Sequence, residues 1–160
     1  MSANILTKLT LSALLMSPLA VNAAVELPDI ISDNAVLQQN SDVKLWGWAK
    51  PGSAVTVTPS WDGRAYTAQA DKNSGRWEVK VSTPAASFAP CSVTFNDGDG
   101  EVKIDNILIG EVWFCSGQSN MEMPLRGFWT QPVEGAAQAI AYSGKYPSIR
   151  MATVPKRAAY

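Results

Sequence analysis

Apolar and polar positions alternate in short bursts between residues 34 and 104. Residues 43–48 (Val-Lys-Leu-Trp-Gly-Trp) alternate apolar with small or polar side chains, and Pro51-Gly52 then turns the chain. Residues 54–58 continue the β-rich composition up to a second turn at Asp62-Gly63. Residues 64–70 hold Tyr66 and Thr67 in a further alternation, closed by Asn73-Ser74-Gly75. Residues 77–81 and 91–95 alternate cleanly, and residues 101–104 form the return strand of a hairpin turned at residues 97–100. Period-two alternation gathers the apolar side chains on one face, which a second sheet must cover. Short strands at regular spacing with glycine-containing turns predict a β-sandwich.

The pattern changes after Ile104. Residues 107–115 are almost continuously apolar, as expected of a strand buried on both faces in a parallel α/β sheet. A small, polar turn follows over residues 115–120. Residues 133–142 are alanine-rich with Glu134 near their start, which predicts a short helix. Residues 146–154 read as a second strand. This β-α-β order opens an α/β domain. The expected organisation is therefore a β-sandwich over residues 25–104 and the incomplete start of an α/β domain over residues 105–160.

The first 23 residues carry a different signal. Lys8 precedes an apolar run over residues 9–15, Pro18 interrupts it, and Val21-Asn22-Ala23 offers the small residues that signal peptidase reads. The run is too short to span a bilayer. Cleavage after Ala23 and export to the periplasm or the extracellular space are the expectation. No later segment is apolar enough to cross a membrane as a helix.

Composition narrows the chemistry. Among 160 residues, 13 basic and 14 acidic side chains leave a formal charge of -1, which gives no footprint for nucleic acid. Apolar residues make up 46%, ordinary for a folded domain. There is no histidine. A Ser-His-Asp triad needs an imidazole to take and return a proton near neutral pH, so these residues hold no complete triad. Two cysteines without histidine point away from a zinc site, and no metal or organic cofactor is expected.

A buried strand that ends in a glycine-flanked serine turn is a device for presenting a nucleophile. The strand fixes the backbone, glycine permits a tight turn, and backbone amides can face a developing oxyanion. Ser119, in Gly117-Gln118-Ser119-Asn120, occupies such a place. Gly-x-Ser alone is a weak signal, because both residues are common in turns. Ser116 is read as a turn residue, and Cys115 as a small hydrophobe at a buried strand end. Cys91 and Cys115 have either a disulfide or two free thiols open to them, with free thiols favoured. Gln118 and Asn120 either contact an acyl oxygen or satisfy turn amides. Glu122 is read as a solvated or hydrogen-bonded loop carboxylate. Trp46, Trp48, Trp61 and Trp77 suit sugar stacking or, more commonly in a sandwich, the core.

The longer string is more specific. Residues 110–125, Gly-Glu-Val-Trp-Phe-Cys-Ser-Gly-Gln-Ser-Asn-Met-Glu-Met-Pro-Leu, resemble the nucleophile segment of the sialate O-acetylesterase family, within the SGNH hydrolases. Leu27-Pro28, Ser32-Asp33-Asn34, Val36-Leu37-Gln38-Gln39 and residues 46–52 resemble the family's N-terminal β-domain, and residues 146–150 a downstream block. The resemblance implies an SGNH-type three-layer α/β fold with a parallel sheet for the second domain. It implies Ser119 as the nucleophile, with its own N–H as one oxyanion donor. It places the other oxyanion donors, a Gly and an Asn, and the catalytic Asp and His, in later sequence blocks. The implied reaction is removal of O-acetyl groups from sialic acids, or from other acetylated sugars such as xylan, through an acetyl-enzyme. The chain is thus expected to be truncated and inactive alone, its partner being the missing C-terminal part of its own catalytic domain. A noncatalytic β-sandwich that binds glycan or docks a partner domain is the alternative.

Overall fold

A computed structural model describes residues 25–155 of the chain. The expected signal segment, residues 1–23, lies outside the described residues. Seven strands come first: β1 (Val36–Gln38), β2 (Asp42–Trp48), β3 (Ala54–Pro59), β4 (Tyr66–Gln69), β5 (Arg76–Ser82), β6 (Ser87–Asn96) and β7 (Glu101–Gly110). A 3-10 turn (Ser119–Met121), helix α1 (Ala136–Tyr142) and a second 3-10 turn (Ser143–Lys145) follow. The described chain is therefore rich in strand and poor in helix.

Two sheets share one core. The larger has the order β1-β7-β6-β3-β4, and β2 pairs with β5 in the smaller. Alternation decides which face turns inward. In β3, Val55, Val57 and Pro59 are buried while Thr56 and Thr58 are only partly covered. In the small sheet, Val43 faces Val81, Leu45 faces Val79 and Gly47 faces Trp77 across the antiparallel ladder. Leu45, Trp77 and Val81 belong to the same core cluster as Val55, Val57, Val93, Phe95, Ile104 and Ile107 of the larger sheet. The Trp77 and Phe95 rings meet between the sheets with centroids 5.8 Å apart. Each such buried side chain contributes about 1.5–3 kcal/mol of hydrophobic stabilisation.

Gly47 is where close approach demands glycine. Glu26 and Trp48 exchange backbone hydrogen bonds of 2.8 Å in both directions. A Cβ on Gly47 would run into the Glu26 carbonyl oxygen and lie 3.1 Å from Cζ2 of Trp77. The bridge that brings residue 26 onto the small sheet thus depends on the absence of a side chain.

Strand β7 departs from the sequence pattern in an informative way. Val93 of β6 pairs with Ile104, and Cys91 with Ile107, so two steps on β6 face three on β7. The extra residue makes a β-bulge, with Asn106 in the left-handed region at φ 57°. Alternation stops at Ile104 because the bulge resets its phase, so Ile104 and Ile107 both point into the core. The division expected between residues 104 and 105 therefore falls inside a single strand. Pro90, which has no amide to donate, falls in the second irregularity, between Ser87 and Cys91.

Beyond Gly110 the structure differs from the expected continuous strand. Ile107, Leu108 and Ile109 are buried, but Val112, Trp113 and Phe114 are 53%, 83% and 88% exposed. Among the described residues no neighbouring strand or helix covers them, so the apolar run extends past the element that buries its start. Cys115 is likewise exposed, not buried at a strand end, and both cysteines are free thiols. The expected helix is confined to Ala136–Tyr142, because Gly135 at φ 72° holds the preceding turn. Residues 146–154 form no strand. Tyr146 closes the 3-10 turn, and the segment is tied to the β-sheet by Arg150.

Candidate active site

The Ser119 segment leaves the large sheet through a polar junction between β1 and β7. These strands run parallel, with Val36 opposite Leu108, Leu37 opposite Ile109 and Gln38 opposite Gly110. The Gln39 N–H donates to the Gly110 carbonyl at 2.8 Å, continuing the ladder one residue past β1. The next residue, Glu111, is gripped from two sides. Gln38 Nε2 donates to its Oε2 at 3.0 Å and Gln39 Nε2 to its Oε1 at 2.6 Å. Those bonds, Gln38's first, hold the Glu111 carboxyl below its ordinary titration range. Both glutamine amides are oriented from their other ends. Gln38 Oε1 accepts from the Val112 N–H at 2.8 Å, and Gln39 Oε1 from the Ala86 N–H at 2.8 Å.

A second junction lies at the β7 bulge. Arg150 Nη1 donates to the carbonyls of Ala35, at 2.9 Å, and Asn106, and its Nη2 donates to Asn106 Oδ1 at 3.0 Å. Asn106 Nδ2 in turn donates to Asn34 Oδ1 at 2.6 Å, and the Asp105 N–H to Asp33 Oδ1 at 2.7 Å. The 33–34, 105–106 and 150 positions, far apart in sequence, thereby fix one another.

Ser119 opens the 3-10 turn Ser119–Met121, with Gln118 as its N-terminal cap residue. The Gln118 carbonyl accepts from the Met121 N–H at 2.9 Å, and the Ser119 carbonyl from the Glu122 N–H at 3.0 Å. Gly117 leaves room for Met121: a Cβ there would sit 2.8 Å from Met121 Cγ. Ser116, Gln118, Ser119, Asn120 and Glu122 are all exposed. The sequence-predicted trio Gln118, Ser119 and Asn120 thus sits together on an accessible turn. Two open grooves, of about 570 and 410 Å³, are lined by other residues: Lys50, Ser53, Asn96 and Asp97 in one, Phe88, Tyr146 and Ile149 in the other. Such a turn can present a hydroxyl to an acyl carbon, but the hydroxyl needs a base to take its proton as it attacks, and the chain contains no histidine.

The tryptophans divide. Trp77 is 1% exposed and belongs to the core, and Trp46 and Trp61 pack partly against it. Trp61 Nε1 donates to the Ser82 carbonyl at 3.0 Å, whereas Trp48 is 39% exposed at the end of β2.

Gln38, Gln39, Glu111, Asn34 and Arg150 stand within the strings that carry the family resemblance, but no local pattern assigns them a role, and Asn106 stands outside those strings. Its one local signal is an asparagine at the point where alternation breaks, a residue type that tolerates the left-handed region.

The comparisons define the class first: the chain is related to carbohydrate esterases. It resembles the structure of a carbohydrate acetylesterase from Xanthomonas citri with a TM-score of 0.61 and 34% identity, over 73% of this chain and 25% of that one. More particularly, it is a homologue of the sialate O-acetylesterases. It is 29% identical to that of Pongo abelii over 133 residues and to that of Mus musculus over 132, and 28% identical to that of Homo sapiens over 132. Each match covers 78% of this chain and 23–24% of the relative, so the chain spans about a quarter of their length. No family model matches the sequence.

Proposed function

We propose that this chain supplies the nucleophile-bearing N-terminal part of an exported serine esterase that removes O-acetyl groups from sugars. Sialic acids are the favoured substrate, and Ser119 is the nucleophile. The observation that carries this reading is the 110–125 string, in which Ser119 heads an exposed turn after a core strand, in a homologue of sialate O-acetylesterases. Ser119 Oγ attacks the acetyl carbonyl as a base takes its proton. The sugar hydroxyl leaves, and water then releases acetate from the acetyl-serine. Gln118 and Asn120 flank the nucleophile in sequence and are the candidate contacts to the acyl oxygen, and the Ser119 N–H serves as an oxyanion donor. The base comes from outside these 160 residues, which hold no histidine. In this reading the strands as far as Gly110 form the β-sandwich, the chain beyond it begins an SGNH-type α/β layer, and residues 1–23 direct export to the periplasm or beyond.

The test is Ser119→Ala in the full-length protein, assayed by acetate release from O-acetylated sialic acid and from acetylated xylan. Turnover is expected to fall by about four orders of magnitude or more with the fold intact. Turnover close to wild type would remove Ser119 from the mechanism. Equal rates on the two sugars would overturn the preference for sialic acid.

A further inference from the structure

We propose that Glu111, held by Gln38 and Gln39, is a positioning residue for Ser119: the β-domain sets the nucleophile's place through this three-residue polar latch. The inference deepens the reading of Ser119 as the nucleophile and rests on it. The latch sits where β7 ends and the chain leaves the sheet, and the serine turn is the next element along it. Its chemistry is specific. Two amide N–H groups converge on Glu111, one on each carboxylate oxygen, at 3.0 and 2.6 Å. Only a group with two acceptors and no donor completes both bonds. Neither glutamine can turn its amide over to suit a different partner. Gln38 Oε1 is committed to the Val112 N–H, and Gln39 Oε1 to the Ala86 N–H. Gln38 therefore grips the side chain of residue 111 and the backbone of residue 112 together, fixing the direction in which the chain departs.

Val112, Trp113 and Phe114 bury no anchor of their own among the described residues. The polar latch, with the Gln39–Gly110 ladder bond beside it, is what holds the start of this segment. Displacing a nucleophile by about 1 Å can cost roughly a hundred-fold in rate, so an anchor of this kind acts on kcat without touching substrate.

A swap experiment tests this. Glu111→Gln, its oxygen kept toward Gln39, sets an amide N–H against the Gln38 donor and breaks that bond. Gln38→Glu places a second carboxylate against Glu111 and breaks the same bond by repulsion, which swings residue 38 away from the Val112 N–H. The double variant, Gln38→Glu with Glu111→Gln, restores every bond: residue 38 accepts from Val112 and from the new amide, whose oxygen accepts from Gln39. In the full-length protein, kcat for acetate release is expected to fall about ten-fold or more in each single variant. KM and melting temperature stay near wild type, and kcat recovers to within about three-fold in the double variant. Hydrogen exchange on the chain itself supplies a readout independent of turnover. Protection of the Val112 amide falls in Gln38→Glu and returns in the double variant, while the β2–β5 ladder stays protected.

Unchanged kcat in the single variants, or no recovery in the double, overturns the proposal. So does a Val112 amide indifferent to the swap. Ser119→Ala in the same assay separates the two ideas. If it abolishes turnover while the latch variants do not, positioning alone fails; if it leaves turnover intact, the nucleophile reading fails with it.

Discussion

Replacing Asn106 with alanine or glycine should give two different costs, and the difference isolates what the β7 bulge requires. Asn106 sits at φ 57°, where an ordinary L-residue pays about 1–2 kcal/mol. Its side chain donates to Asn34 Oδ1 at 2.6 Å and accepts from Arg150 Nη2 at 3.0 Å. Both bonds are solvent-exposed, so each is worth about 0.5 kcal/mol, the low end of the net range. Asn106→Ala loses both bonds and lacks asparagine's tolerance for this backbone, for a total of about 2–3 kcal/mol. Asn106→Gly loses the same bonds but adopts φ 57° freely. It adds roughly 0.5 kcal/mol of unfolded-state entropy, for a total of about 1–1.5 kcal/mol. Urea unfolding of the purified chain gives both numbers as midpoint shifts at constant slope. Alanine is expected to be the worse by about 1 kcal/mol. Equal destabilisation by the two, or glycine worse than alanine, would show that backbone geometry is not what asparagine provides here.

Two further outcomes follow from the same structure. Gly47→Ala should destabilise by about 1–3 kcal/mol, since its Cβ collides with the Glu26 carbonyl oxygen and crowds Trp77. Gly63→Ala meets no atom within 4 Å and should cost only its left-handed backbone, about 1 kcal/mol. Thermal melting of the pair checks the order, which a larger loss at Gly63 would reverse. In acid, Asp71 is held below its ordinary range mainly by the backbone N–H of Ser74, with further help from the Ser74 side chain, and Glu111 by Gln38 and Gln39. Because both folded values are lowered, their stabilisation is complete above the unfolded values, about 4. It drains away as pH falls through the lower folded ones. Asp71→Asn should therefore flatten the acid limb of a plot of urea midpoint against pH; a limb parallel to wild type below about pH 4 contradicts this.

Much of the architecture was legible in the sequence because local patterns carried it. Alternation over residues 43–48, 54–58 and 77–81 fell within one or two residues of β2, β3 and β5, since each strand has one face in the core. The alanine-rich stretch gave a helix, and the turn glycines at 52, 63, 75 and 98 all adopt positive φ. The 110–125 string was sufficient to single out Ser119 and the family it resembles. What the sequence by itself did not determine was how the strands and the serine segment are joined. β1 is three residues long and gains its place only by pairing with β7, some seventy residues on. The bulge erased alternation at the very point where the pattern suggested a boundary. The contacts from Gln38 and Gln39 to Glu111, and from Arg150 to Asn106, join polar residues 72–73 and 44 positions apart, and no periodicity records such pairs. Burial pattern is a local property of each element, whereas hydrogen-bond partnership across the chain exists only once the sheets have closed on their shared core.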